Sequence, residues 1–168
     1  MGDFWSWAFS DVLTNVDRAT LAEYIVATAL GVDDEPRPGS WEAYDLDYGG
    51  AKVEVKSTSL VQSWKSEKKS KPQFTIKAAG RWDEATGKWL HVAPERAADV
   101  YVFCVFDPRD EDSPDPLDVS EWFFLVVSTK RIAEAYGDQK YVRLSRVQEI
   151  EEGVSYQELR ERVDLELR

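Results

Sequence analysis

The sequence predicts an α/β (α+β) sandwich with a mixed central β-sheet flanked by helices, and three observations carry that prediction. Residues 44–48 and 52–57 alternate polar and apolar around Gly49-Gly50, the pattern of a two-residue β-hairpin. The run Val100-Tyr-Val-Phe-Cys-Val-Phe106 is apolar without a break, as expected of a strand covered on both faces. Residues 15–30 carry Ala22, Ile25, Val26, Ala29 and Leu30 at helical spacing, with Gly31 as a C-terminal stop. At 168 residues and 19.2 kDa the chain suits one domain, residues 1–168, with a core of its own.

The elements follow in order. On the first helix, Glu23 falls at the edge of the apolar stripe beside Ala19 and Leu30, and Arg18 falls on the apolar side one turn earlier, placed to pair with a carboxylate or phosphate or to snorkel. In the hairpin, a Gly49-Gly50 loop sets Tyr48 opposite Ala51, Asp47 opposite Lys52, Leu46 opposite Val53 and Asp45 opposite Glu54. Alternation then puts Asp45, Asp47, Lys52, Glu54 and Lys56 on one face, and Tyr44, Leu46, Tyr48, Val53 and Val55 on the other. Further strands are expected at 73–78, 100–106, 122–128 and 141–147, and a short helix at 129–136 closed by Gly137. Ser155 and Glu158 have capping-box spacing ahead of Leu159, Val163 and Leu167, which predicts a last helix.

Composition excludes several chemistries. His91 is the sole histidine, which leaves no multi-histidine zinc site and no His-Asn-His nuclease within one chain. There is no Gly-x-Ser-x-Gly elbow and no Gly-x4-Gly-Lys-Ser/Thr phosphate loop. Cys104 stands alone, so a disulfide within the chain is ruled out and a reducing, cytoplasmic setting is the expectation. No segment is apolar enough to span a membrane, and the first residues lack the basic region of a signal peptide.

The hairpin carries the chemistry. Two directly opposed carboxylates, Asp45 and Glu54, repel unless something positive sits between them, and a Mg²⁺ ion, which binds through one or two carboxylates plus water and phosphate oxygens, meets that need. Lys56, two residues on, is placed to orient a water and to offset phosphate charge. The plainer alternative is a solvated charged face, with Asp47 and Lys52 as a surface ion pair. Val53 and Val55 make that strand central, however, where charge without a purpose is costly.

A helix bearing a glutamate, then Asp45, Glu54-Val55-Lys56 and a downstream glutamine resembles the PD-(D/E)XK, or restriction-endonuclease-like, nuclease superfamily. The longer string, Trp41-x-x-Tyr44-Asp45-Leu46 with Glu54-Val55-Lys56-Ser57 and Gln62-Ser63-Trp64, is similar to an uncharacterised bacterial branch of it. Tyr44 stands where the nominal motif has proline, a position that varies in the superfamily. The resemblance implies a restriction-endonuclease-like core and a Mg²⁺-dependent DNA nuclease, with Mn²⁺ as a substitute metal. It places Asp45, Glu54, Glu23 and the Val55 carbonyl as metal ligands, Lys56 as the catalytic lysine, and Gln62 against the site water or a phosphate. The alternative reading of Glu23 is an ordinary boundary glutamate, and that of Gln62 a polar strand end.

Residues 65–81 form a basic island: Lys65, Lys68, Lys69, Lys71, Lys77 and Arg81 against the single acid Glu67. Such a segment after the catalytic strand suits phosphate contacts, or else a solvated loop. The whole chain points the other way, with net charge −11 and pI about 4.6. Residues 107–121 hold seven acids, one arginine and three prolines, a segment expected to be mobile. DNA affinity is therefore expected to be local, or supplied by a partner protein or a second copy, for which the aromatic start Phe4, Trp5, Trp7 and Phe9 is a candidate surface. A catalytically inactive nuclease-like DNA-binding or assembly module, and a structure-selective junction nuclease, are the alternatives.

Overall fold

The computed structural model describes residues 2–34, 43–61, 71–80, 82–83, 88–89 and 94–168. A short helix, α1 (Gly2–Ala8), precedes the long helix α2 (Asn15–Leu30), whose limits are those expected. Thr14 caps α2 by accepting the Asp17 N–H at 3.3 Å, and Gly31, at φ 71°, ends it with the left-handed turn that suits glycine. The hairpin strands β1 (Leu46–Tyr48) and β2 (Ala51–Ser59) pair Leu46 with Val53, Asp47 with Lys52 and Tyr48 with Ala51, the expected register. Gly49 and Gly50 both have positive φ, 62° and 88°, which is why two glycines fit this loop.

Next come β3 (Gln73–Thr75), the small pair β4 (Trp82–Asp83) and β5 (Lys88–Trp89), then β6 (Val100–Phe106) and β7 (Trp122–Ser128). Helix α3 (Thr129–Tyr136), strand β8 (Tyr141–Arg143), and helices α4 (Leu144–Val147) and α5 (Leu159–Glu166) complete the chain. The central sheet runs β1-β2-β6-β7, antiparallel, parallel and antiparallel in turn, so it is mixed as expected. Every residue of β6 is buried because both faces are covered. Val100, Val102, Cys104 and Phe106 pack with Ile25, Val26 and Leu30 of α2 and with Leu159 and Val163 of α5. Tyr101, Phe103 and Val105 pack on the opposite side with Ile132 of α3, Leu144 and Val147 of α4, and Phe74 and Val142 of a two-stranded β3–β8 ribbon.

Four local expectations are revised. Residues 141–147 were expected as one strand, but the strand stops at Arg143: Val142 and Leu144 alternate inward, whereas Leu144 and Val147 bury one face of a helical turn. Strand β3 spans three residues, not 73–78, because its partner β8 is equally short; the Ile76 N–H still reaches the Lys140 carbonyl at 2.9 Å. The acidic segment 107–121 carries local structure, with Asp118 capping a 3-10 turn and Arg109 bonded to Asp118 and Ser120 at 3.1 and 2.9 Å. At the last helix only half of the capping box forms, the Glu158 carboxylate accepting the Ser155 N–H at 2.9 Å while the helix begins at Leu159.

Candidate functional site

The regular ladder of the hairpin ends at Leu46, and that interruption makes the site. The Asp45 N–H bonds to the Val53 carbonyl at 3.0 Å, although Val53 is already the partner of Leu46. Two residues thus stand opposite one, the definition of a β-bulge, and side chains before it change face. Tyr44 accordingly packs with the cluster on the ribbon side of the sheet, while Leu46 and Tyr48 pack on the α2 side. This corrects the expectation that Tyr44 shares their face and that Asp45 is the ladder partner of Glu54. Asp45 instead turns its carboxylate along the strand edge, where Oδ2 accepts the Val55 N–H at 2.7 Å. The side chain supplies the acceptor that a strand carbonyl would otherwise provide.

Asp47 and Lys52 are opposed as expected, yet they do not form the expected ion pair. Asp47 Oδ1 closes the turn by accepting the Gly50 N–H at 2.9 Å, and the Lys52 ammonium lies 5.5 Å from the centre of the Tyr44 ring.

Beyond the bulge β1 no longer covers β2, and a cavity of about 540 Å³ opens along the bared edge. Asn15, Arg18 and Glu23 line it from α2, Asp45, Val55 and Lys56 from the hairpin, and Lys71 and Gln73 from the start of the ribbon. Glu54 is not part of this lining, but its carboxylate pairs with the Lys56 ammonium beside it. Burial first, and then the charge of Asp45, push the Glu54 carboxyl above the usual carboxylate range; Lys56 opposes the shift and does not cancel it. The charges of Asp45 and Glu23 both add to the effect of burial on the Cys104 thiol, which lies well above its ordinary range, so strand and helix bring these acids toward the same stretch of β6.

Tyr101 is a neighbour that sequence reasoning could not supply. It pairs with Glu54 across the parallel β2–β6 register, and its phenol is pushed up to about 12, by burial first and then by the charge of Glu54. Arg18 is 4% exposed, and burial lowers its pKa. Its guanidinium donates to the Leu13 carbonyl and to Asn15 Oδ1, both at 2.8 Å, while its buried Nε has no hydrogen-bond partner. The expected alternatives of snorkelling or pairing thus resolve into a buried cation at the cavity wall.

Glu23, Asp45, Val55, Lys56 and Lys71 are therefore brought to one cavity, with Glu54 at its margin. Lys77 is exposed and does not line it. Gln62, Lys65, Lys68, Lys69 and Arg81 lie outside the described residues, as does His91. Among the described residues, no group of three His, Cys, Asp or Glu stands together in a way that could hold a metal ion. No described helix is long and apolar enough to cross a membrane. Compared with known proteins, the chain matches no family model, no curated protein and no solved structure.

Proposed function

We propose that the chain is a metal-dependent DNA nuclease of the PD-(D/E)XK type, hydrolysing phosphodiester bonds at the cavity bounded by Asp45, Lys56 and Glu23. The observation that carries this reading is the bulge. A strand-end aspartate leaves its ladder, fixes its carboxylate on the Val55 N–H, and sits beside a second carboxylate too poorly compensated to stay in the ordinary range. Such an arrangement costs stability and is favoured where a cation completes it.

The residues fit a Mg²⁺ or Mn²⁺ ion held by Asp45 and Glu54, with the Val55 carbonyl and Glu23 as further oxygen donors. A three-acid cluster is not required, since Mg²⁺ commonly takes one or two carboxylates and keeps several waters. When bound, such an ion polarises the phosphodiester and lowers the pKa of water. Lys56 takes the remaining work. Its side chain is 29% exposed and lines the cavity, so its ammonium can swing from Glu54 toward a phosphate oxygen, offsetting developing charge and orienting the attacking water. Asp45, pinned at 2.7 Å to the backbone, is preorganised.

Incubation of plasmid, linear and single-stranded DNA with Mg²⁺ or Mn²⁺ tests the proposal. Cleavage by the parent chain, lost in Lys56→Ala and Asp45→Asn, is the expected result; equal activity in all three chains would overturn it. The absence of a three-acid group among the described residues favours one competitor, a nuclease-like binding or assembly module without turnover. Calorimetric titration separates the two, because the nuclease should show a Mn²⁺ site that disappears in Glu54→Gln.

A further inference from the structure

The β3–β8 ribbon joins two segments far apart in sequence that share a property unusual in a chain of net charge −11. Residues 71–80 hold Lys71 and Lys77, residues 139–148 hold Lys140, Arg143 and Arg146, and neither segment contains an acid. Pairing Gln73 with Arg143 and Thr75 with Tyr141 gathers these four side chains on one exposed face, while Phe74 and Val142 anchor the other face in the core. Arg96 holds the ribbon in place from behind, donating to the Ile76 and Gly137 carbonyls, both at 2.7 Å.

The exposed face is continuous with the candidate site. Gln73 lines the site cavity and also a shallow groove of about 350 Å³ bordered by Gln139, Tyr141, Arg143 and Arg146. Among the described residues, no acid lines that groove. Tyr141 is 56% exposed, which leaves it available to a ligand. Among the described residues Arg146 pairs with Glu149, at 2.7 Å and with both side chains more than half exposed, an interaction weak enough to yield to a phosphate.

We infer that this ribbon face is a track for a single strand of DNA leaving the site cavity: Arg143 and Arg146 contact its phosphates, Tyr141 stacks on a base, and Gln73 marks the passage from cavity to groove. Guanidinium forks match phosphate oxygens, and an exposed tyrosine can stack only on a base that is not already stacked in a duplex. The inference rests on the nucleic-acid reading of the cavity and extends it to the strandedness of the substrate.

The test measures fluorescence anisotropy of a labelled oligonucleotide, single-stranded or as a blunt duplex, with the full-length Lys56→Ala chain in Mg²⁺ to prevent cleavage. Tyr141→Ala and Arg143→Ala should each weaken single-strand binding roughly tenfold, and Tyr141→Phe should restore it. The double variant Arg143→Ala/Arg146→Ala should flatten the slope of log K against log salt by roughly 1.4, about 0.7 for each phosphate that is no longer neutralised. All four substitutions are on exposed side chains, and circular dichroism confirms that the variants fold. Single-strand affinity equal to that of the Lys56→Ala chain in every ribbon variant, or no binding to either oligonucleotide, overturns the track. If the ribbon variants bind normally while the parent chain cleaves and Lys56→Ala does not, the track fails and the nuclease reading stands. If single strands bind and the ribbon variants lose them, yet nothing is cleaved, the track stands and the catalytic reading fails.

Discussion

Glu151 and Glu166 meet Arg131 and Arg162 as equals in charge, whereas Glu54, beside Asp45, has the single ammonium of Lys56 as its ion-pair partner. In the first cluster Arg162 binds both oxygens of Glu151, at 2.6 and 2.7 Å, and reaches Glu166 at 2.8 Å. Arg131 bridges the same carboxylates at 2.8 and 2.6 Å and also donates to the Ile150 carbonyl. The second oxygen of Glu166 takes the Ser128 N–H at 2.8 Å, so the network ties α3, α5 and the end of β7 together. Both guanidiniums are held above the ordinary arginine range. For Arg131, burial pulls the other way and is outweighed by Glu151 and Glu166; for Arg162, the Glu151 hydrogen bond leads. Buried charge is tolerated there because each group has partners of opposite sign and good geometry. At the cavity the balance is left incomplete, and Glu54 is pushed up, not down. Similar residues thus form a staple in one place and stand incompletely compensated in the other.

The sharpest way to break this contrast is Lys56→Ala, which should lower DNA cleavage by on the order of 10²–10⁴-fold with little change in melting temperature. A large loss of stability instead would make Lys56 a structural residue. Glu151→Gln should do the reverse. It leaves two arginines short of charge around a carboxylate whose side chain is only 5% exposed, and should cost about 3–5 kcal/mol in denaturant unfolding, with cleavage per folded molecule unchanged.

Smaller effects separate the backbone bond of Asp45 from the part proposed for it in cleavage. Asp45→Ala strands the Val55 N–H and should cost about 1–3 kcal/mol, while Asp45→Asn keeps an acceptor there and should be far milder in unfolding although equally damaging to cleavage. The smallest effect is expected at Glu54. Its raised carboxyl binds a proton more tightly folded than unfolded, so it detracts from stability as the pH rises from the ordinary glutamate range through the folded value. Glu54→Gln should therefore gain ~1 kcal/mol or less at neutral pH, a gain that vanishes under acid conditions, followed by thermal melts across pH. Destabilisation by that substitution at neutral pH would show that Lys56 compensates Glu54 fully.

How much of this could be read from the chain differs by residue. Gly49-Gly50 dictated the hairpin register to the residue, because two positive-φ positions leave the flanking strands one way to pair. Yet the same register, carried one step further, put Asp45 opposite Glu54 and Tyr44 on the wrong face, since a bulge has no local signature in Ala43-Tyr44-Asp45. Residues 144–147 misled for a related reason. Val142, Leu144 and Val147 satisfy a strand and then a helical turn, and only the partners they bury against decide.

The sequence alone determined the long helix 15–30, the buried strand 100–106, strand 122–128 and helix 129–136, and it set Glu54 and Lys56 side by side on one face of the strand after the Gly-Gly turn. These rest on periodicity, caps and turns, interactions that span a few residues. Only the tertiary structure decided that Asp45 leaves the ladder, that Tyr101 stands beside Glu54, and that a ribbon made from residues 73–75 and 141–143 borders the cavity. Those are pairings between distant segments, fixed by which apolar faces are buried together, and no local pattern encodes the partner.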